Sequence, residues 1–369
     1  MSELTSINQY LSYDEPDKSN HLWKYTPWRR IHPTGKIKEM PEMDIPTIEI
    51  SNLDNSEVPD GIELLENITE IDKDKISDNI AASFLLSSTH SSRWTLSVKS
   101  GFIADLPILV DIHCHEGISS LHLELDIGKM AEIEVITRIN GNCEWFGLLR
   151  TVKIQNGANV NDIVVNLQNG GSLLRFESVD IGRDAQISAG TVSSGSEKTK
   201  ADLRYFLEEP GSNLKSLGSI LSVEKMHLDH HIEILHDSPE TQSRLSWHSA
   251  CSGSSKTIGT GMLRVKDGAI GADAAQIFHN LLLSRDAEAD SIPELEVMEH
   301  DVVGCGHGTA NGPIDEDQKF YLESRGFNPS ESKAALIAAF LNTTLSQMGS
   351  EKTHQWLVGL LSDELELLV

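Results

Sequence analysis

From about residue 94 the chain alternates apolar and polar positions with a period of two. Leu121, Leu123, Leu125 and Ile127 interleave with His122, Glu124 and Asp126; Ile133, Val135 and Ile139 keep the same beat opposite Glu134 and Arg138. Such alternation predicts β-strands with one buried face. It returns over 161–167, 173–179, 185–192, 213–223, 226–235 and 262–265. The intervening turns resemble one another, combining Gly with Asp or Asn and a small residue, as in Gln155-Asn156-Gly157-Ala158 and Gln168-Asn169-Gly170-Gly171. From Gly128 through Gly157, Gly170, Gly182 and Gly211 the steps are 29, 13, 12 and 29 residues, the long step being roughly twice the short one. Strand-and-turn units that persist for roughly 200 residues without a helical crossover predict a solenoid, a β-helix whose rungs stack around one continuous core. A β-sandwich, which has turn signals at similar spacing, is the alternative.

Helical signals lie at both ends. Residues 1 to about 45 read as irregular to helical, and His21–Trp28 packs three aromatics into a chain that is only 5% aromatic, which predicts an anchor docking this arm onto the body. Residues 46–80 are acidic, with Pro46, Pro59 and Gly61, and read as short strands or a helix near 72–86; 83–89 leads into a small-residue, polar patch. After the strands, Asp315–Arg325 is rich in helix formers and Gly326 is placed as the glycine that ends a helix. Ser330 is placed as the N-cap of a second helix, Glu331–Thr344. A third, Glu351–Leu368, carries an apolar stripe of Leu357, Leu360, Leu361, Leu365 and Leu368. The expected architecture is mainly β: a helical or irregular region over 1–90, a β-helix over 91–312 and a helical domain over 313–369, with the flanking helices covering the open ends of the β-helix.

Composition narrows the function. The chain has 369 residues, with 56 acidic against 30 basic, a net charge of −26. Such a surface repels phosphate, which argues against nucleic acid or an anionic membrane as partner. No run of about 18 apolar residues is present, and the N-terminus has no apolar segment of a secretory signal. Cys114, Cys143, Cys251 and Cys305 lie far apart without a CxxC, which fits free thiols in a reducing cytoplasm.

Few residues carry chemistry. No GxSxG, P-loop, HExxH or dinucleotide fingerprint occurs. Cys305-Gly306-His307-Gly308 places a soft and a borderline metal ligand two residues apart. On an extended backbone both point to one face with Cα atoms roughly 6.5–7 Å apart. Two ligands do not complete a site, so a third from His300, Asp301 or a second chain is needed. Gly304, Gly306 and Gly308 would let another backbone approach closely. The bland reading is a free buried Cys beside a surface His in a turn. Met226–His236 holds His227, His230, His231 and His236; on a strand His227, Asp229 and His231 share a face, and the group reads as structural, with His230 in the core. Asp111, His113 and His115 form a similar stripe, read as surface.

Several blocks occur in the order typical of the SufB/SufD family. They are Met226-His227-Leu228-Asp229-His230-His231, Thr241-Gln242-Ser243-Arg244, the long Asn280-Leu281-Leu282-Leu283-Ser284-Arg285-Asp286-Ala287-Glu288-Ala289-Asp290, Pro293-Glu294-Leu295-Glu296-Val297, Cys305-Gly306-His307-Gly308 and Phe320-Tyr321-Leu322-Glu323-Ser324-Arg325-Gly326. Trp23-Lys24-Tyr25-Thr26 also looks like an N-terminal motif of SufD. The resemblance is strong over about 200–345 and weaker from 95 onward. Two departures fall in these blocks: Gly306 replaces the usual Ser of a CSHG motif, followed by Thr309-Ala310 in inverted order, and Phe278 replaces an Asn in a Q-x-N-x-N segment starting at Gln276.

The resemblance implies a right-handed parallel β-helix and a role in iron–sulfur cluster assembly. It implies a SufB-type partner and a SufC ATPase bound through the C-terminal helices, with ATP hydrolysis in that partner. It also implies a transient cluster at the subunit interface and none tightly bound in the isolated chain. It carries a ligand role to His307, with Cys305 as a second candidate. Phe320, Tyr321, Leu322 and Arg325 are expected at the ATPase contact, and Leu281 and Leu283 in the core or at a subunit interface. The absence of Cys in 284–289, and Gly308 where SufB-like chains tend to have Glu, point to the SufD type. The alternatives are a homo-oligomeric SufB-like scaffold and a β-helix enzyme acting on polysaccharide; the latter calls for a row of exposed carboxylates and aromatic platforms.

Overall fold

The computed structural model describes residues 3–17, 19–66 and 79–366. The strands close into a parallel β-solenoid of about eight turns built from two nine-stranded sheets. One sheet holds β1 (Thr47–Asn52), β4 (Ile108–Cys114), β6 (Glu132–Gly141), β8 (Asn159–Asn166), β10 (Gln186–Ser193), β12 (Asn213–Ser222), β14 (Gln242–Cys251), β16 (Asp273–Leu282) and β18 (Gly304–Gly312). The other holds β2 (Ile62–Glu66), β3 (Arg93–Val98), β5 (Ile118–Ile127), β7 (Trp145–Ile154), β9 (Ser172–Ile181), β11 (Lys198–Leu207), β13 (His227–His236), β15 (Lys256–Val265) and β17 (Glu288–Val297). From β3 onward the chain alternates between sheets, so each strand pairs in parallel with the strand one full turn away. Lys198 pairs with His227 and His227 with Lys256. The 29-residue glycine step is therefore one rung, and the 12- and 13-residue steps are half-rungs between sheets. A sandwich would have paired successive strands antiparallel. Among the described residues only β1 and β2 pair antiparallel, onto β4 and β3, closing the N-terminal end; the region 1–90 thus contributes strands as well as helices.

The lumen changes character along its length. Its first rungs are aliphatic, with Leu96, Leu121, Leu123, Leu125, Val135 and Ile139 fully buried. Midway, Arg150 lies inside with no exposure. Its guanidinium donates to Glu177 Oε1 (2.6 Å) and Asp162 Oδ1 (2.7 Å), while Arg175 Nε donates to Glu177 Oε2 (2.9 Å). Burial pushes the Asp162 carboxyl up and Arg150 offsets this only in part; at Glu177 burial is outweighed by Arg150 and Arg175, which hold it below the usual range. Further along, Trp247 fills the space left by Gly218, where a Cβ would sit 2.1 Å from its ring, and Phe278 lies against Gly259 and Gly261.

The outer face of the odd-numbered sheet is covered, so the half-buried strands expected there are buried on both faces. His122 and Glu124 are 0% and 2% exposed, beneath an N-terminal arm of three helices, α1 (Glu3–Ser12), α2 (His21–Lys24) and α3 (Trp28–Ile31), and a fourth, α4 (Ile80–Ser88). All of α4 is buried. It is the described part of the helix expected near 72–86, of which 72–78 lies outside the described residues, and it absorbs most of the small-residue patch at 83–89. Phe84 of α4 meets Tyr10 (5.1 Å), Trp28 (5.4 Å) and Trp145 (5.9 Å) between ring centroids. The aromatic arm docks as expected. It also runs lengthwise across the rungs. Trp145 Nε1 of β7 donates to Ile31 O (2.7 Å) and Lys198 Nζ of β11 to Arg30 O (3.1 Å). Thr26 Oγ1 donates to Asp229 Oδ2 of β13 (2.6 Å), Tyr25 lies 5.9 Å from Lys256 Nζ of β15, and His21 contacts Glu294 of β17.

Asp202 of β11 pins the residue before α4. Its carboxylate accepts from Asn79 Nδ2 (2.7 Å), Arg204 Nε (3.2 Å) and His231 Nδ1 (2.9 Å). Burial alone would raise its pKa, but Arg204 and His231 outweigh burial and hold it well below the usual range. A depressed folded-state pKa contributes stability above the ordinary Asp pKa of about 3.9, and that stability is lost as pH falls below it. Asp202→Asn is therefore expected to flatten the fall in Tm below about pH 4; parallel slopes for variant and wild type in thermal melts between pH 2 and 5 would count against this.

The C-terminal helices are α5 (Glu316–Ser324), α6 (Pro329–Leu345) and α7 (Glu351–Glu366). Asp315 caps α5 and Gly326 follows it at φ +102°, as the sequence predicts. The cap of α6 is Asn328 and not Ser330: the Asn328 side chain accepts from Ser330 N and Glu331 N, and Glu331 returns a bond to Asn328 N. Pro329 fits the first helical position because its φ is preset and it has no N–H to satisfy, which moves the start upstream. The α7 stripe faces inward, with Leu357 and Leu365 buried; Leu368 lies outside the described residues. Buried Glu134 of β6 anchors the α6–α7 turn, accepting from Ser350 N (2.7 Å) and from Thr353 Oγ1. Contrary to the expectation from the sequence, these helices do not cover the solenoid's end. They lie on the outer face of the even-numbered sheet, where Ile136, Ile163, Val165, Leu217, Leu221 and Ala250 require apolar cover. Leu281 and Leu283 pack there against Ile337 and Leu341 of α6. Among the described residues, β17 and β18 are left uncapped.

Candidate functional site

The uncapped terminal rung holds both candidate ligands. Cys305 and His307 lie in β18, not in a turn, and pair with Ala274 and Gln276 of β16. Both therefore continue the luminal face. Cys305 is half-buried against Val265, Ala269, Ala272 and Val302, and burial raises its thiol pKa, so it is protonated at neutral pH. His307 is exposed. On the other face of β18, a Cβ added at Gly306, Gly308 or Gly312 would meet nothing within 4 Å. Apart from the exposed methyl of Ala310 that face is bare backbone, and among the described residues the strand's free edge has no ladder partner.

Across the lumen, Ser291, Pro293 and Leu295 of β17 stand over Gly259, Gly261 and Leu263 of β15. Polar bonds tie β17 and β18 to β16 and to each other. Gln276 Nε2 donates to Glu294 O (2.9 Å), Asn280 Nδ2 to Ser291 Oγ (2.7 Å) and Asn311 Oδ1 (2.7 Å), and Asn311 Nδ2 to Ala289 O (3.1 Å). The loop between them exposes Met298 and Val303. In it Glu299 folds back on the amides of Gly268, His300 and Asp301. Among the described residues no group of three or more His, Cys, Asp or Glu side chains is placed to hold a metal, so neither His300 nor Asp301 completes the Cys305–His307 pair. The sequence did not single out Gln276 and Asn280 as parts of this rung, although the Q-x-N-x-N block contains both.

The other histidine-rich strand is structural. His230 is buried, its ring 5.2 Å from Trp247, and burial followed by the charges of Arg175 and Lys200 brings its pKa down to about 3. His227 and His231 face outward under the arm, and Asp229 takes the buried Lys200 ammonium (3.0 Å). His113 and His115 are exposed near the other end. On α5, none of whose residues is buried, Phe320 is 72% and Tyr321 56% exposed; Leu322 is half-buried, and the exposed Arg325 lies 5.2 Å from the Tyr321 ring.

Similarity to known proteins agrees with this arrangement. Residues 112–340 match the SufBD core domain of SUF system FeS cluster assembly. An iron–sulfur cluster assembly SufBD family protein of Mycobacterium leprae is 24% identical over 99% of this chain and 96% of its own length. One of Mycobacterium tuberculosis is 22% identical over 96% and 91%. The iron–sulfur cluster assembly protein SufD of Escherichia coli is 24% identical over 90% and 85%. With a matched core spanning rungs from β4 to β18 and on into α6, the chain belongs to the SufBD family of the SUF iron–sulfur cluster assembly system.

Proposed function

We propose that this chain is a SufD-type, non-catalytic scaffold subunit working in a reducing cytoplasm. Its open end pairs with a SufB-type subunit, and a transient iron–sulfur cluster, carried as cargo, forms at that interface. The observation that carries this reading is the terminal rung: an uncapped strand edge, a glycine-rich outer face, and two ligand types that no third described residue completes. A partner strand added along β18 would satisfy the edge and bring the missing ligands. His307 is the preferred ligand, since its imidazole is exposed while the Cys305 thiol is half-buried and protonated. The SufC ATPase docks on α5, where Phe320 and Tyr321 offer apolar area that the chain itself does not cover. ATP hydrolysis takes place there, and α6, packed on β12 and β14 beside α5, carries the movement toward the terminal rungs. The missing Cys in 284–289 and Gly308 favour the SufD type. Against a polysaccharide-acting enzyme stands the burial of Phe176, Tyr205, Trp247 and Phe278, which leaves none of them as a sugar platform.

The test is anaerobic co-purification with a SufB-type chain and the SufC ATPase, followed by iron and sulfide analysis. A ternary complex is expected whose cluster content falls at least about tenfold in His307→Ala, because losing a ligand bond removes well over the 1.4 kcal/mol that a factor of ten requires. The apo fold is expected to be unchanged, since the exposed ring buries little. Unchanged cluster content would remove His307 from the chemistry, and an unfolded variant would make it structural. The same open end would also accept a second copy of this chain; failure of a SufB-type chain to exchange into a purified homodimer would favour that homo-oligomeric scaffold.

A further inference from the structure

Gln276 is fully buried and stands in register directly beneath His307. Neighbouring strands lie about 4.8 Å apart, so the imidazole stacks over the amide. The amide spans the lumen: Nε2 donates to Glu294 O on β17 at 2.9 Å, and since a carbonyl only accepts, that bond fixes which end of the amide is Nε2. The span exists because Gly261 has no side chain; a Cβ there would lie 2.0 Å from Gln276 Oε1. That oxygen is buried and has no hydrogen-bond partner among the described residues. The rung beneath offers Leu245, which has no side-chain donor. A buried acceptor left unpaired is costly and marks a missing partner. The group standing above it is His307.

Resting on the reading of His307 as a ligand, we propose that Gln276 is its positioning residue. The ring lies down over the terminal rung and donates one N–H to Gln276 Oε1. This fixes the tautomer and leaves the other nitrogen, with its lone pair free, facing the open end. A ligating histidine is commonly oriented by such a bond through its second nitrogen. Gln276 is itself held by β17, whose Glu294 is gripped by His21 of the arm, so the ring direction is set before any cluster arrives.

The test reads the ring, not cluster content. In the full chain labelled with ¹⁵N-histidine, at a pH near 8 where an ordinary imidazole is neutral, long-range ¹H–¹⁵N correlations report the tautomer, with His307 assigned by its disappearance in His307→Ala. Wild type is expected to show one nitrogen fully donor-like and the other fully acceptor-like. Gln276→Met should collapse the two shifts toward a solvent-averaged mixture, and Gln276→Glu, which keeps an acceptor oxygen, should restore the split. Gly261→Ala leaves Gln276 in the sequence but displaces its oxygen, and should give the same collapse. An averaged mixture in wild type, or a split unchanged in both Gln276→Met and Gly261→Ala, overturns the proposal; wild type alone decides if a variant fails to fold. Cluster content separates this from the ligand role. If His307→Ala empties the complex while the tautomer ignores Gln276, the ligand stands and the positioning falls; if the tautomer follows Gln276 but His307→Ala keeps its cluster, the hydrogen bond stands and the ligand role falls.

Discussion

Replacing Arg150 with alanine is expected to destabilise the chain by about 3–5 kcal/mol, the range found when one partner of a buried ion pair is removed. The guanidinium is fully buried and serves two carboxylates at once, Asp162 on β8 and Glu177 on β9, one from each sheet. Without it Glu177 keeps Arg175, but Asp162 has no other ion-pair partner among the described residues and either takes up a proton or draws water into the lumen. The loss should appear as a lower urea midpoint, with Asp162→Asn in the Arg150→Ala background recovering part of it. A loss within about 1 kcal/mol, typical of exposed pairs, would show that the lumen is wet enough to screen these charges. Exchanging Arg150, Asp162, Arg175 and Glu177 together for apolar residues of similar volume should be far milder than Arg150→Ala alone, because it removes the desolvated charges, including the Arg175 paired with Glu177, instead of stranding them.

Trp28→Ala should be comparably damaging, about 3–5 kcal/mol for a large aromatic removed from a fully buried site. Trp28 has no exposure and meets Trp23 (5.5 Å), Phe84 (5.4 Å) and Tyr10 (6.3 Å). It is the pivot from which the arm reaches the later rungs. Hydrogen exchange should therefore quicken in the arm and also in β17, whose outer face the arm grips through His21 and Glu294. Quickening confined to the arm would make it passive cover.

The solenoid was legible because its two determinants are local: a two-residue alternation and turns whose spacing equals a half-rung or a rung. The aromatic arm was legible for a similar reason, since Trp23, Tyr25 and Trp28 stand out in an aromatic-poor chain. Polar residues facing outward were misjudged where tertiary cover decides. His122 and Glu124 have the sequence pattern of a solvated face, yet they are buried, His122 in register with Leu149, which packs with the arm and α4, and Glu124 between Thr95 and Lys153. The end of the fold was misjudged likewise: the helices signalled after residue 312 seek the apolar outer face of β8–β14, a preference set by side chains on strands distant in sequence. At the site, the Cys305–His307 face followed from strand parity. Gln276 was invisible because its significance lies in an unpaired oxygen and in the absence of a side chain at Gly261, fifteen residues away on the other sheet.

The lengthwise arm has a consequence for biosynthesis. His21 and Glu294 are 273 residues apart, so the arm, made long before β17, finds its last foothold only when that final rung has emerged. At about 5–20 residues per second this is a wait of some tens of seconds. For the first part of it, until β9 and β11 have emerged, Trp23 and Trp28 are displayed without their full seat, a natural target for a holding chaperone. The rungs meanwhile can stack from the N-terminal end as they appear. Seating of the arm then acts as a check on completion, since a ribosome stalled before β17 yields a stacked solenoid whose arm lacks its final tie to Glu294.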